Sequence, residues 1–265
     1  MINSLWISKT GMEAQQMQLD VISNNLANVS TNGFKKSHAV FEDLMYQNLR
    51  QVGSATNEQA NLPTGLQVGL GVRTVATSRN FSQGNLQQYN NNLDIAVQGT
   101  GFFQITMPDG TLGYTRDGAF QLDNAGRMVT SGGLLLSGGI TVPANATALT
   151  VSQDGTVSAT VPGNVSPQNI GTITTASFIN PAGLEPKGQN IYAESAASGQ
   201  PTVGTPSQNG LGPLMQGFVE TSNVNAIETM VGMIQTARQF EAQMRLLQTA
   251  ESNDRSAGQL LGLQG

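Results

Sequence analysis

The sequence contains no cysteine, one histidine and few charged residues, and each shortage excludes a class of chemistry. Without cysteine the chain has no disulfide bond and no thiolate ligand for a metal ion. His38 is the single histidine, so a zinc site built from several histidines is excluded. Charged residues make up 11% of the 265 residues, whereas about 25% is usual in a globular protein. Neutral polar residues take their place, and a neutral polar surface suits packing into a large assembly.

Two further absences limit the partners of the chain. The formal net charge is −5, and the 12 lysines and arginines are scattered along the sequence, so no nucleic-acid partner is expected. No run of 18 apolar residues is present, so no membrane insertion is expected either. Residues 1–6 lack the basic start and the long apolar core of a secretory signal. We expect a protein that stays in the cytosol or leaves it without a cleaved signal peptide.

Near the start of the chain, apolar residues repeat with the seven-residue spacing of a helix that has one apolar stripe. The stripe consists of Leu5, Met12, Leu19, Ile22, Leu26 and Val29. The polar run from Asn28 to Gly33 predicts the end of this helix, because Gly33 readily takes the left-handed conformation that ends many helices. The sequence therefore predicts one long helix before residue 33.

A second stripe lies near the end of the chain. Asn225 followed by Glu228 is similar to a capping box and predicts a helix start. The stripe then consists of Ile227, Met230, Ile234, Ala237, Phe240, Met244 and Leu247. It continues to about Glu251 and then weakens.

Together the two stripes form the predicted assembly interface. A lone helix is marginally stable in water, so each stripe needs a partner. The two helices can pack on each other or on the rest of one subunit, or they can bundle between subunits. Seven-residue spacing favours bundling between subunits, because it is the spacing of coiled coils.

Between the helices the apolar pattern changes to a period of two. Leu93, Ile95 and Val97 are separated by single residues, and turn signals such as Asn124–Gly126 follow at short intervals. This pattern predicts an antiparallel all-β domain at residues 80–199.

The segments that flank this β domain are harder to interpret. Residues 34–79 and 200–223 are predicted to be extended connecting arms. Polar stretches at 47–75 and 196–213 are equally compatible with disordered linkers. Because 47–75 is long for an ordinary loop, we expect it to become an ordered arm that locks neighbouring subunits.

The predicted fold class is therefore α+β. Its terminal helical domain comprises 1–33 and 224–265, whose two helices form a coiled-coil-like bundle. The connecting arms and the β-rich outer domain make up the remainder of the chain.

No catalytic, metal or cofactor site is predicted. The turn at Asp123–Gly126 lacks the alternating oxygen ligands and the closing glutamate of a calcium loop. Paired carboxylates for glycoside hydrolysis come together only in the folded chain. A glycan-binding or hydrolytic β module on a helical stalk therefore stays an alternative, although the single tryptophan, Trp6, lies on a predicted helix instead of in the β domain.

Four blocks of the sequence are similar to the motifs of the bacterial flagellar rod and hook proteins. They are Ser23–Lys35, Leu93–Phe103, Tyr114–Phe120 and Gln216–Asn225, in the order in which the family has them. In the first block, the residues that match the family motif are Asn24, Asn25, Ala27, Asn28, Thr31, Gly33, Phe34 and Lys35. The four blocks are spread over nearly the whole chain.

This resemblance implies a structural subunit without enzymatic activity or cofactor. It implies that copies of the chain assemble head-to-tail into a helical tube, the drive shaft that transmits torque from motor to hook. Adjacent rod and hook proteins, the peptidoglycan-ring and outer-membrane-ring proteins and the flagellar export apparatus are the implied partners. The implied location is the basal body, in the rod that crosses the periplasm, after type III export without a cleaved signal peptide.

Within the family, the long polar stretch between Met45 and Leu86 is similar to the insertion of the distal rod members. A proximal rod or hook-type axial protein is the alternative within the family. At Thr236–Glu241 the sequence departs from the pattern usual in relatives, but Phe240 keeps an aromatic ring in the stripe.

Overall fold

The computed structural model describes residues 2–50, 55–57, 60–61, 66–163 and 166–262 of the chain. They fall into two units, each built from separate parts of the sequence. The first unit consists of Met1–Leu26, Ser37–Ser78 and Ala226–Gly265, and the second consists of Ala27–Lys36 and Arg79–Asn225. A helix stands at each end of the chain with antiparallel strands between them, so the predicted α+β class is confirmed.

The two helices are α1 (Ile2–Ala27, 26 residues) and α2 (Ala226–Gly262, 37 residues). As the sequence predicts, α1 ends before the polar run that leads to Gly33, whose φ is +68°. Helix α2 continues beyond Glu251, where the apolar stripe weakens. The residues after Glu251 include alanine, arginine, glutamine and leucine but no proline, so nothing ends the helix where the stripe fades.

The described residues contain 22 short strands between the helices. In chain order they are β1 (Ser37–Asp43), β2 (Tyr46–Arg50), β3 (Ala55–Asn57), β4 (Ala60–Asn61), β5 (Leu66–Gly69), β6 (Val72–Arg79), β7 (Leu86–Gln88), β8 (Ile95–Val97), β9 (Phe102–Thr106), β10 (Leu112–Thr115), β11 (Phe120–Leu122), β12 (Met128–Thr130), β13 (Leu135–Leu136), β14 (Ala148–Val151), β15 (Thr156–Thr160), β16 (Gln168–Thr172), β17 (Thr175–Ser177), β18 (Glu185–Gly188), β19 (Ile191–Ala193), β20 (Thr202–Gly204), β21 (Leu214–Gln216) and β22 (Phe218–Glu220). A single turn of 3-10 helix, Pro181–Gly183, precedes β18.

In the first unit the strands form a nested ribbon. β1 pairs with β6, β2 with β5 and β3 with β4, so the chain runs out along one side and returns along the other. The amide of Val72 donates a hydrogen bond to Oγ1 of Thr10, 3.4 Å away, which ties the base of the ribbon to α1. The ribbon occupies most of the segment predicted as the first arm. Residues 51–54, 58–59 and 62–65 of that arm lie outside the described residues.

The second unit contains a nine-stranded antiparallel sheet in which β9 is central. β10 pairs along one side of β9, while the other side is shared by β17 near its start and β13 near its end. A three-stranded sheet of β14, β15 and β16 packs with it around one apolar core. The largest fully buried apolar side chains there include Ile95, Phe103 and Phe120.

Three strands of the segment predicted as the second arm pair within this second unit. β20 pairs with β17, β21 with β8 and β22 with β7. Leu214 and Val219 are buried, each in one of these short strands. Residues 202–220 therefore pack as part of the β unit, although few large apolar side chains signal this in the sequence.

Candidate functional site

Helix α2 exposes most of the large apolar residues of its predicted stripe. Ile227, Met230, Ile234 and Met244 are 76%, 50%, 54% and 39% exposed. The other stripe residues, Ala237, Phe240 and Leu247, are half-buried. Exposed large apolar side chains that lie close together are typical of surfaces that another molecule covers.

On α1 the predicted stripe is less exposed. Its residues Leu5, Met12, Leu19, Ile22 and Leu26 are half-buried, as is Val29 in the second unit. The most exposed large apolar residues are instead Trp6 and Met17, which the stripe does not include. The Lys9 ammonium lies 5.2 Å from the centre of the Trp6 ring, a distance at which a cation is attracted to an aromatic face.

The two helices contact each other in an antiparallel direction within the first unit. A methyl group added at Gly11 of α1 would lie 3.2 Å from Nε2 of Gln243 on α2. One added at Gly232, earlier on α2, would lie 4.0 Å from Cδ1 of Ile22, later on α1. Moving forward along α1 therefore means moving backward along α2.

A glycine of each helix lies at this contact. Gly11 of α1 lies beside the side chain of Gln243, and Gly232 of α2 lies beside Ile22. Thr236, four residues after Gly232, is buried as well. Thr10 of α1 is buried too, but it lies against Gly71 of the ribbon. The stripes of large apolar residues do not indicate these glycine positions.

Asn25 is the motif residue that fixes the end of α1 to strand β1. Its side-chain Nδ2 donates to the carbonyl oxygen of Ser37 at 2.7 Å, and its Oδ1 accepts from the amide of Ser37 at 2.9 Å. The buried amide therefore satisfies both backbone groups of one residue, much as a neighbouring strand would. No other common side chain of this size offers a donor and an acceptor together in this way.

The rest of the motif forms the turn that follows α1. Asn24 and Ala27 are exposed, whereas Asn28 and Thr31 are half-buried and are joined by a 3.2 Å hydrogen bond from Thr31 Oγ1 to Asn28 Oδ1. Phe34 is buried. The residues that match the family motif therefore differ in their exposure and in their contacts.

Position 33 requires glycine for two reasons: its φ is positive, and neighbouring backbone atoms leave no room for a Cβ atom. A Cβ atom at this position would lie 2.6 Å from the backbone nitrogen of Asp117 and 2.7 Å from the carbonyl carbon of Arg116. Backbone atoms that directly follow the buried end of strand β10 cannot move away easily. The motif segment therefore lies directly on the backbone at Arg116–Asp117, which belongs to another of the four sequence blocks.

Lys35 is the charged residue of the motif, and it is fully buried with its charge paired. Its Nζ donates to Oε1 of Glu220 at 2.5 Å and to the carbonyl oxygen of Ser82 at 2.8 Å. Arg116, also buried, donates from Nη1 to Oε2 of Glu220 at 3.3 Å and from Nη2 to the carbonyl oxygen of Gly99 at 2.6 Å. We call Lys35, Arg116 and Glu220 the ion cluster.

The ion cluster contains two cations and one carboxylate, all removed from water. Burial lowers the pKa of Lys35 below the usual value for lysine, Glu220 opposes this shift, and Arg116 adds to it. Burial likewise lowers the pKa of Arg116, again opposed by Glu220. Glu220 is therefore the group that allows both cations to stay buried.

Asn223 completes the connection between the first and the last motif blocks. Its Oδ1 accepts from the amide of Lys36 at 2.7 Å, and its Nδ2 donates to the carbonyl oxygens of Asn80 and Ser82. The amide of Gly33 also donates to the carbonyl oxygen of Glu220 at 2.8 Å. Residues 33–36 are thus held by residues 220–223 through backbone as well as side chains.

Two polar hollows on the second unit bear on glycan chemistry. The first has a volume of about 300 Å³ and is lined by Thr115, Asp117, Thr130, Ser131, Gly132, Gln189, Asn190 and Ile191. Asp117 is the one carboxylate of this lining, whereas glycoside hydrolysis uses a pair. The pKa of Asp117 is raised, mainly by burial. The second hollow, of about 490 Å³, has three carboxylate residues in its lining, Asp109, Glu185 and Glu194.

Within the described residues, no three histidine, cysteine, aspartate or glutamate side chains come together as a metal site would require. None of the helices in the same part of the chain is long and apolar enough to span a membrane.

Three family models match the chain, and together they reach from its first helix to its last. The model described as "Flagella basal body rod protein" matches residues 6–35. "Flagellar hook protein FlgE/F/G D1 domain" matches residues 96–159, and "Flagellar basal body rod FlgEFG protein C-terminal" matches residues 215–260. Each member of the ion cluster lies within one of these three matches.

Curated relatives match over almost the full length. The flagellar basal-body rod protein FlgG of Buchnera aphidicola subsp. Schizaphis graminum is 50% identical over 260 residues, which cover 98% of this chain and 100% of that protein. The same protein of Borreliella burgdorferi is 42% identical over 254 residues, 95% of this chain and 96% of the relative. The flagellar hook protein FlgE of Helicobacter pylori is 44% identical over 133 residues, which are 49% of this chain but 18% of that protein. The chain therefore belongs to the FlgG family of flagellar basal-body rod proteins.

Proposed function

We propose that this chain is a structural, non-enzymatic subunit of the bacterial flagellar distal rod, and that its terminal helices build a helical tube that transmits torque from motor to hook. The family and the full-length match to FlgG proteins support the rod subunit. The exposed apolar stripe of α2 is the observation that carries the mode of assembly.

Helix α2 contacts α1 with one part of its surface and exposes large apolar side chains on another. Helix α2 meets α1 at Gly232, while Ile227, Met230 and Ile234 of α2 stay exposed. The exposed side chains Ile227, Met230 and Ile234 would each gain about 1.5–3 kcal/mol if a neighbour buried them fully. The best supported partner is the terminal helix of another copy, because the same surface repeated head-to-tail generates an open filament.

A distal rod subunit is better supported than a hook-type axial protein. This chain is as long as the FlgG relatives it matches, whereas its match to a hook protein covers 18% of that protein. The proximal rod alternative is less supported for a similar reason, since the two relatives above are FlgG proteins that match over 95% or more of the chain.

The partners follow from this placement. Copies of the chain and the adjacent rod and hook proteins are its neighbours along the axis. We infer that peptidoglycan-ring and outer-membrane-ring proteins surround it where the rod crosses the periplasm. We infer as well that the flagellar export apparatus delivers it.

We further propose that the ribbon of the first unit locks adjacent subunits and stiffens the tube. Its described part exposes Met45, Tyr46, Leu49 and Leu66, four large apolar residues on strands or beside them. Such residues on a two-stranded ribbon have no core of their own to enter. A neighbouring subunit would cover them.

A single charge placed on the α2 stripe tests the mode of assembly. Ile234→Glu puts a carboxylate on the exposed stripe, and Gln235→Glu puts one on the next exposed position, which is polar already. Neither change should alter the stability of the isolated subunit by more than about 0.5 kcal/mol, because both sites are exposed. In a strain that lacks its own distal rod protein, the Gln235 variant should restore swimming and complete rods, and the Ile234 variant should not.

Electron microscopy of isolated basal bodies provides the readout. Complete rods from the Ile234→Glu variant would contradict the proposed interface. Loss of rods from both variants would also contradict it, because the effect would then follow from added charge anywhere on the helix.

A further inference from the structure

The ion cluster joins parts of the chain that are far apart in sequence. Lys35 and Glu220 are 185 residues apart, and Arg116 and Glu220 are 104 residues apart. Lys35 belongs to the motif segment at residues 27–36, which follows α1, and Glu220 belongs to the closing segment at residues 217–223, which precedes α2. The two segments that connect to the terminal helices thus meet at one carboxylate.

This contact depends on Glu220, because its carboxylate is the group that pairs with the buried charges of Lys35 and Arg116. With Glu220 in place, one carboxylate serves Lys35 Nζ, Arg116 Nη1 and the amide of Gly84, which lies 2.8 Å from Oε1. Without it, two cations would be buried with no carboxylate: Lys35 would keep a carbonyl oxygen, and Arg116 would keep carbonyl oxygens and the ring of Phe102. Removing one partner of a buried ion pair is strongly unfavourable, since the charge left behind is neither hydrated nor paired.

The backbone of the motif segment also depends on the closing segment for its hydrogen bonds. The amides of Gly33 and Lys36 donate to the backbone oxygen of Glu220 and to the side chain of Asn223, and the carbonyl oxygen of Phe34 accepts from the amide of Asn223. A buried segment that lost these partners would leave polar groups unsatisfied. The buried charge of Lys35 and the backbone hydrogen bonds of residues 33–36 therefore both require residues 220–223 as partners.

We propose that Glu220 is a completion latch: the motif segment at residues 27–36 seats in the second unit only once the closing segment at residues 217–223 has docked and supplied the carboxylate. A chain whose C-terminal part has not yet arrived then keeps Lys35 in water and its N-terminal segment unseated. The segment that follows α1 and the segment that precedes α2 therefore become ordered together. It rests on the geometry of the second unit and does not depend on the proposed function.

Hydrogen exchange on the purified full-length chain tests the latch. Glu220→Gln keeps the shape of the side chain and removes its charge. We expect residues 27–36 to exchange at least tenfold faster in this variant, while strands β14 and β15 keep their protection. Glu185→Gln is the matched control, because it also removes a carboxylate 2.9 Å from a lysine, Lys187, but at an exposed site; it should leave residues 27–36 unchanged.

Rescue by a second substitution separates the latch from ordinary packing. If the unpaired Lys35 ammonium is the cause, Lys35→Met added to Glu220→Gln should return the exchange of residues 27–36 to within about threefold of the wild-type rate, because Arg116, the second cation without its carboxylate, lies outside that segment. Lys35→Met alone should not speed exchange there, since Glu220 still pairs with Arg116.

Three results would overturn the latch. The first is unchanged exchange of residues 27–36 in Glu220→Gln. The second is a double variant that exchanges as fast as the single one. The third is loss of protection in β14 and β15 together with residues 27–36, because the carboxylate would then hold the whole unit instead of one segment.

Discussion

A methyl group added at Gly33 should destabilise the second unit far more than one added at a matched glycine. Gly33 has a φ of +68°, and a Cβ there would lie 2.6 Å from the nitrogen of Asp117. Gly139, in the same unit, has a φ of +64°, and no heavy atom lies within 4 Å of the position of its Cβ. The two glycines thus have similar φ values, but only the Gly139 site has room for a Cβ atom.

The expected magnitudes follow from these two terms. The left-handed conformation costs an alanine about 1–2 kcal/mol, and this term is common to both variants. Gly33→Ala adds an overpacking term of about 1–3 kcal/mol, because the nearest atoms are backbone atoms of a neighbouring segment. The smaller freedom of alanine in the unfolded chain affects both variants equally and cancels in the comparison.

Urea unfolding of the purified chain measures this difference. Near-ultraviolet circular dichroism of tyrosine follows the second unit, in which Tyr114 and Tyr192 are buried. The free energy of unfolding should fall by about 2–5 kcal/mol for Gly33→Ala and by about 1–2 kcal/mol for Gly139→Ala. Equal losses for the two variants would refute the close approach of the motif to the backbone at residues 116–117.

Three further outcomes are expected. Asn25→Ala should lower the stability of the first unit by about 1–3 kcal/mol, because both backbone groups of Ser37 lose their partner; an unchanged urea midpoint of Trp6 fluorescence would contradict this. Asp117→Asn should stabilise the chain at neutral pH, and the gain should vanish below pH 3.8, the ordinary pKa of aspartate. Burial raises the folded pKa of Asp117, so the protonated carboxyl contributes stability at low pH that is lost as pH rises through the folded value; a gain independent of pH in urea titrations would be inconsistent with that shift. Removing residues 1–26 should leave the tyrosine signal of the second unit intact and abolish rod formation, and normal rods from the shortened chain would contradict the role of α1.

The sequence predicted the elements whose signals are local. Helix α1 follows from the spacing of Leu5, Met12 and Leu19, and its end follows from the polar run before Gly33. The antiparallel β region follows from alternation and closely spaced turns. Such signals depend on neighbours in the chain, so a single sequence contains them.

Contacts between distant residues could not be predicted in the same way. Nothing near Lys35 indicates that its partner is Glu220, 185 residues later, although both lie in recognisable motif blocks. Strands β20, β21 and β22 have three residues each, too few to show a period, and their segment was interpreted as an arm. The contact between α1 and α2 uses small residues, and the assembly residues assigned to both stripes stay a prediction.

The most direct test of the central claim is electron microscopy of basal bodies from a strain in which this chain replaces the resident distal rod protein. If the chain builds the distal rod, these basal bodies should hold complete straight rods that contain the chain and carry a hook, with swimming restored. Rods that stop before the hook, or complete rods from which the chain is absent, would contradict the proposal that it builds the distal rod.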